Sequence, residues 1–143
     1  MELKIIIDKN RKEEINIYAH SRNALIDQIE ELVNNTPREI IGYCDEQVVK
    51  VPLNEIFCFT IEKGKLYCIT EKEKFLIKQR LYQIEELIDK DFIKTNQSSV
   101  ANIRKIERFD ASFGGSLMVI FKNGYKDYVS RRQIKLVKER IGF

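Results

Sequence analysis

Two stretches of this chain carry side chains able to hold an anion. Lys94-Thr95-Asn96-Gln97-Ser98-Ser99 is a polar, cation-bearing run, and Val129-Ser130-Arg131-Arg132-Gln133 sets two arginines directly behind a serine. Ser130 reads as a helix N-cap, with Gln133 three residues on completing a capping box, so both arginines fall in the first helical turn. The helix macrodipole already makes that end positive, and further positive charge there costs roughly 0.3–1 kcal/mol. Two arginines and a row of free backbone amides at one spot therefore point to an anion, such as a phosphate or the electronegative edge of a base. Arginine forks onto guanine, glutamine or asparagine pairs with adenine, and lysine holds phosphate. On that chemistry Arg132 is the leading base reader, and Arg131, Gln97 and Asn96 are base or phosphate contacts. Lys63, Lys65 and Lys94 are phosphate contacts. Ser98 and Asn102 read as loop organisers, because short polar side chains bond nearby backbone groups and fix irregular segments.

Charge is distributed to match. Residues 1–92 hold 14 Lys/Arg against 18 Asp/Glu and residues 93–143 hold 11 against 4, so net charges of −4 and +7 make up the +3 of the whole. The basic end is where a polyanion docks. With 143 residues, 43% of them hydrophobic and 33% charged, the chain is expected to bury one core with a small appended subdomain. No run of 18 or more apolar residues occurs, and Met1-Glu2-Leu3-Lys4-Ile5-Ile6-Ile7-Asp8 turns acidic where a signal peptide would stay apolar, so the expected location is cytoplasmic.

Other chemistries find little support. Cys44, Cys58 and Cys68 sit in apolar segments without C-x-x-C spacing, and read as buried thiols of a reducing compartment rather than zinc ligands. His20 is the one histidine, and its neighbour Ser21 reads as a helix cap rather than a nucleophile. Glu85, Glu86 and Asp89 read as a solvated helix face, and Gly114-Gly115 as a turn that lacks the frame of a phosphate loop. No catalysis, cofactor or metal is expected. The rival reading from another class is a protein-interaction module whose basic face binds an acidic partner or an anionic membrane surface.

Leu3–Ile7 and Glu14–Tyr18 read as strands around a charged turn. They precede a helix capped by Ser21, with Leu25, Ile26, Ile29, Leu32 and Val33 on one face and a stop at Asn34-Asn35-Thr36-Pro37. This ββα unit, residues 1–37, is followed by a domain at 38–143. Short strands are expected at 39–43, 47–51, 55–62, 65–70 and 74–78, with a hairpin turn at Glu62-Lys63-Gly64-Lys65. A helix over 81–88 should turn Leu81, Ile84, Leu87 and Ile88 inward. Phe92 then opens the polar loop, anchored by Val100, Ile103 and Ile106. Strands at 116–121 and 125–129 flank the hairpin signal Asn123-Gly124, with Tyr125 and Tyr128 read as packing. The Ser130 helix is apolar at Ile134, Val137 and Ile141 and ends at Gly142.

The segment Phe92, Lys94, Ser98, Val100, Asn102, Ile106 fits F-x-[KR]-x-x-x-S-x-[IV]-x-N-x-x-x-I, and Asn123-Gly124 with Val129-Ser130-Arg131-Arg132 fits N-G-x-x-x-x-[IV]-S-R-[RK]. With Arg80-Leu81-Tyr82-Gln83-Ile84-Glu85-Glu86-Leu87 upstream, residues 38 to 143 resemble the LytTR DNA-binding domain of bacterial transcription regulators. The resemblance implies a mainly β (α+β) fold of stacked antiparallel sheets with short helices. It also implies a regulator that reads double-stranded DNA through loops in successive major grooves, without a helix-turn-helix, at paired promoter sites. The DNA-facing positions it marks are Lys63 to Lys65, Lys94 to Gln97, and Arg131-Arg132. Residues 1–37 are too short for a receiver domain. They are expected to form a homodimer or to dock an inhibitory partner, such as a small membrane protein.

Overall fold

Apolar residues alternate with polar ones through most of the chain after Glu39, and that period of two builds sheets rather than helices. The computed structural model describes residues 1–34, 38–88, 90–113 and 115–143. Its elements are helix α1 (Ala24–Asn34), strands β1 (Glu39–Cys44), β2 (Gln47–Pro52), β3 (Cys58–Glu62), β4 (Lys65–Ile69) and β5 (Lys74–Ile77), helix α2 (Leu81–Leu87), strands β6 (Phe92–Asn96), β7 (Ser99–Asn102), β8 (Ile106–Phe113), β9 (Ser116–Phe121) and β10 (Lys126–Val129), and helix α3 (Arg131–Ile141). One antiparallel sheet has seven strands in the order β2-β1-β5-β4-β3-β7-β6, and a second has three in the order β10-β9-β8. This is the expected mainly β fold with short helices.

Two cores hold these layers. Ile40, Phe59, Leu66, Phe75, Ile77 and Val100 pack with Leu81 and Ile84 of α2 on one face of the large sheet. Cys58, Ile93 and Ala101 pack on its other face with Val119, Phe121 and Val129 of the small sheet and Val137 of α3. Cys58 and Phe59 are neighbours in sequence, so the pleat sends them into opposite cores, which is why β3 is apolar on both sides. β1 and β5 meet at the single register pair Tyr43↔Leu76, and Gly42 beside it lets Phe75 pack close to the β1 backbone. A Cβ on Gly42 would lie 2.7 Å from Phe75 Cβ.

The chain divides into two units, Met1–Thr36 and Pro37–Phe143. In the first, the two expected strands do not form: among its described residues the regular element is α1, after a turn in which the Arg11 amide donates to the Asp8 carbonyl at 3.3 Å. A lone two-stranded ribbon has too little to bury, and Leu3, Ile5, Ile7 and Ile15 stay exposed. The cap of α1 is Asn23 rather than Ser21, its Oδ1 accepting from the Ile26 amide at 3.1 Å. Arg22 bonds Asp27 at 2.7 Å and also Glu30.

In the second unit, Leu87 faces outward instead of inward, 51% exposed, because α2 ends there. The run expected as a polar loop is the β6–β7 hairpin, and β8 was not foreseen. Val100 is nevertheless buried, and Ile103 and Ile106 pack against the second core as anchors. The helix stop at Asn35 to Pro37, the exposure of Asp89 and Gly114 of the Gly-Gly turn lie outside the described residues.

Burial sets the chemistry of the thiols. It pushes Cys68 up to about 12 and Cys58 higher still, with Asp127 adding to the effect on Cys58, so both stay protonated and unreactive near neutrality. Burial likewise raises Tyr125 to about 12. A thiol ordinarily ionises near 9.0. Above that pH the unfolded chain therefore holds fewer protons than the native one, and native stability falls as pH rises. The urea midpoint should be level from neutrality to the ordinary thiol range and then fall. A Cys58→Ala/Cys68→Ala variant, weaker throughout, should lose the part of the decline that begins there, and an unaltered decline would contradict the assignment.

Candidate nucleic-acid interface

Three chain reversals meet at one end of the large sheet. The first is the two-residue turn Lys63-Gly64 closing β3 on β4 across the pair Glu62↔Lys65. Both turn residues have positive φ, 50° and 76°, the conformation of a hairpin whose twist matches its strands. Glycine adopts it freely, whereas Lys63 does so at a cost of about 1 kcal/mol. The second is Gln97-Ser98, the tip of the β6–β7 hairpin, bound to the end of β3 by the Ile61 amide donating to the Ser98 carbonyl at 2.9 Å. The third is the junction of β10 with α3 at Ser130.

Side-chain and backbone bonds fasten the second reversal to the third. The Ser130 amide donates to the Thr95 carbonyl at 2.9 Å. Asn96 Nδ2 donates to the Tyr128 carbonyl at 2.9 Å, while Asn96 Oδ1 accepts from the Ser98 amide at 2.9 Å. Thr60 and Ser99 hydroxyls meet at 2.9 Å beneath the same hairpin, tying β3 to β7. A bulge at Thr95, between the Lys94↔Val100 and Asn96↔Ser99 pairs, frees the Thr95 carbonyl for this contact.

Arg131 and Arg132 are exposed, and among the described residues neither is ion-paired or hydrogen-bonded through its guanidinium. Ser130 occupies the N-cap with extended backbone, but its hydroxyl makes no cap bond, so the expected capping box is absent. The Gln133 and Ile134 amides donate to the Ser130 carbonyl at 2.9 and 3.1 Å, which leaves those of Arg131 and Arg132 available. The capping-box bond occurs instead on α2, where the Arg80 amide donates to Gln83 Oε1 at 2.9 Å. Gly142 ends α3 in the left-handed conformation, as expected.

Gln97, Lys63 and Lys65 are also exposed, and among the described residues neither lysine is ion-paired. Asn96 departs from expectation. It is 1% exposed, and its side-chain nitrogen and oxygen both bond within the chain, so it organises the hairpin from inside. Lys94 is half-buried with Nζ 3.3 Å from Glu85, so its charge is balanced from within. Asn102 has the organising role expected: Nδ2 donates to the Ile56 carbonyl at 2.9 Å and Oδ1 accepts from the Arg104 amide at 3.1 Å. Ser98 contributes its backbone, and Ser130 fixes the geometry through its amide.

Sequence reasoning missed two residues at this end. Tyr128, read as packing, is 51% exposed, whereas Tyr125 packs on Phe121 as foreseen, ring centroids 5.9 Å apart. Alternation with buried Val129 was the available signal. Lys78 follows β5 at the level of the Lys63-Gly64 turn, a placement visible only from strand register.

Residues 46–142 match the LytTr DNA-binding domain family. HTH-type transcriptional regulators from Staphylococcus aureus strains NCTC 8325 and COL are 28% identical over 144 residues, spanning 99% of this chain and 98% of each relative. In this chain, however, strands separate each described helix from the next, and no helix-turn-helix is present among the described residues. The solved LytTr DNA-binding domain of a methyl-accepting/DNA response regulator from Bacillus cereus shares the fold, with a TM-score of 0.69 and 21% identity over 73% of this chain and 97% of that one. The family match covers well over half of the chain, and the chain belongs to the LytTr DNA-binding domain family.

Proposed function

We propose that this protein is a sequence-specific, DNA-binding transcription regulator and not an enzyme, whose three clustered reversals enter the major groove. The observation that carries this reading is the convergence of Arg131-Arg132, Gln97 and Lys63 to Lys65 on one end, with no carboxylate paired to those cations among the described residues. Arg132 reads guanine. Arg131 and Gln97 contact bases or phosphates, and Lys63 and Lys65 hold phosphates. Lys94, balanced by Glu85, contributes a weaker phosphate contact at the rim. The names of the Staphylococcus relatives and the family assignment support the regulatory role. Among the described residues no helix is long and apolar enough to cross a membrane, and a cytoplasmic location follows from the proposed target.

The test is a salt titration with a duplex enriched from a random-sequence library by the parent protein. Each phosphate contact adds about −0.9 to the slope of log affinity against log salt. Arg132→Ala should cost about 1–3 kcal/mol on the enriched duplex and much less on a scrambled one. Equal loss on both would remove Arg132 as a base reader. Binding to acidic-lipid vesicles without duplex binding would favour the membrane or acidic-partner reading instead.

The N-terminal unit is read as the element that makes a homodimer and so matches paired promoter sites. Its apolar residues Leu3, Ile5, Ile7, Leu32 and Val33 are exposed, and α1 buries none of its side chains. Docking of a small membrane-protein inhibitor on the same residues is the second role proposed. Removal of residues 1–36 should take the species in sedimentation equilibrium from twice the parent protomer mass to a single truncated protomer, and a truncated chain that still runs at twice its own protomer mass would reject dimerisation through this unit.

A further inference from the structure

We propose that Lys65 and Lys78 together hold a backbone phosphate of the bound duplex, extending the loop interface onto the face of the large sheet. This rests on the reading of that end as the DNA interface. The last pair between β4 and β5 is Leu66↔Ile77, so the next step along both strands sets Lys65 and Lys78, both exposed, opposite one another. Like charges facing across an antiparallel pair repel. The carboxylate nearest in register is Glu62, the β3 partner of Lys65, and it is already committed to Lys74 at 2.5 Å.

Lys78 is held in place without being neutralised. Its Nζ lies 4.2 Å from the centroid of the Tyr43 ring, a contact that orients an ammonium yet leaves N–H donors free for an acceptor on the opposite side. Lys74 makes the same kind of contact, 4.4 Å above Tyr67, but Glu62 balances it. Of the two tyrosine-held lysines, the one beside the Lys63-Gly64 turn is therefore the one left uncompensated. A phosphodiester is a monoanion with two free oxygens, and it removes the repulsion between both ammoniums while accepting from each. A groove that receives the turn places its flanking backbone over this pair.

Salt titrations on the library-enriched duplex and on a scrambled duplex test the assignment, using the full chain as parent, Lys65→Gln/Lys78→Gln, Tyr43→Phe, Tyr43→Leu and Lys72→Gln. Lys72 is exposed in the turn between β4 and β5, at the opposite end of those strands. The double variant should lose about 0.9 from the magnitude of the slope, so a fourfold rise in salt costs it roughly 3.5-fold less affinity than it costs the parent. It should weaken equally on both duplexes, and Tyr43→Phe should match the parent while Tyr43→Leu loses part of the slope. A double variant with the parent's slope, or an equal fall in Lys72→Gln, would overturn the phosphate site even where Arg132→Ala still loses discrimination. A parent that binds neither duplex would overturn this site and the DNA reading together.

Discussion

The interface depends on one pair of hydrogen bonds: Asn96 Nδ2 to the Tyr128 carbonyl and the Ser130 amide to the Thr95 carbonyl. They join strands of two different sheets, β6 and β10. An arginine reads a base through fixed, bidentate geometry, so a shift of about 1 Å between the hairpin tip and the start of α3 would break a shared register on DNA. Burial strengthens the lock. An Asn96 that let go would strand a carbonyl and amide groups without partners, at roughly 1–3 kcal/mol for each group.

The same economy explains which charges are free. Lys94, Lys74 and Arg104 are balanced by Glu85, Glu62 and Asp91 at 3.3, 2.5 and 3.1 Å, so each of those carboxylates is already engaged and Glu62, beside the first reversal, is turned to Lys74. At the reversals the chain tolerates repulsion instead. Arg131 and Arg132 sit at the positive end of α3, Lys63 holds a left-handed φ, and Lys65 and Lys78 face each other. Each departure carries a small local cost, and their concentration at one end is what a polyanion site requires.

Much of the fold was legible because it obeys short-range rules. The strands from Glu39 to Lys78 appear as alternation, Lys63-Gly64 and Asn123-Gly124 as turns with positive φ at Gly64 and Gly124, and α3 as an apolar stripe ended by Gly142. The β6–β7 hairpin was hidden because Thr95, Asn96 and Ser99 are polar yet buried, satisfied by partners as remote as Tyr128. No local pattern announces such a partner. The N-terminal strands failed for the converse reason: the apolar residues are there, but Leu3, Ile5, Ile6, Ile7 and Ile15 stay exposed and enter no core. Of the candidate site, the cations at Lys63, Lys65, Arg131 and Arg132 were legible from residue type and capping position. The contacts of Asn96 with the Tyr128 carbonyl, Lys94 with Glu85 and Lys78 with Tyr43 join residues far apart in sequence and could be read only from the fold.

The most direct test of this account is the affinity of an Asn96→Asp variant for the enriched duplex. The exchange keeps the acceptor for the Ser98 amide and deletes the donor to the Tyr128 carbonyl, with almost no change in volume. Measured at a salt concentration and temperature where circular dichroism shows the variant folded, affinity should drop by about tenfold or more, the equivalent of roughly 1.4 kcal/mol. Discrimination against a scrambled duplex should shrink as well. A folded variant that binds and discriminates as the parent does would contradict the claim that this clamp aligns the DNA-reading surface.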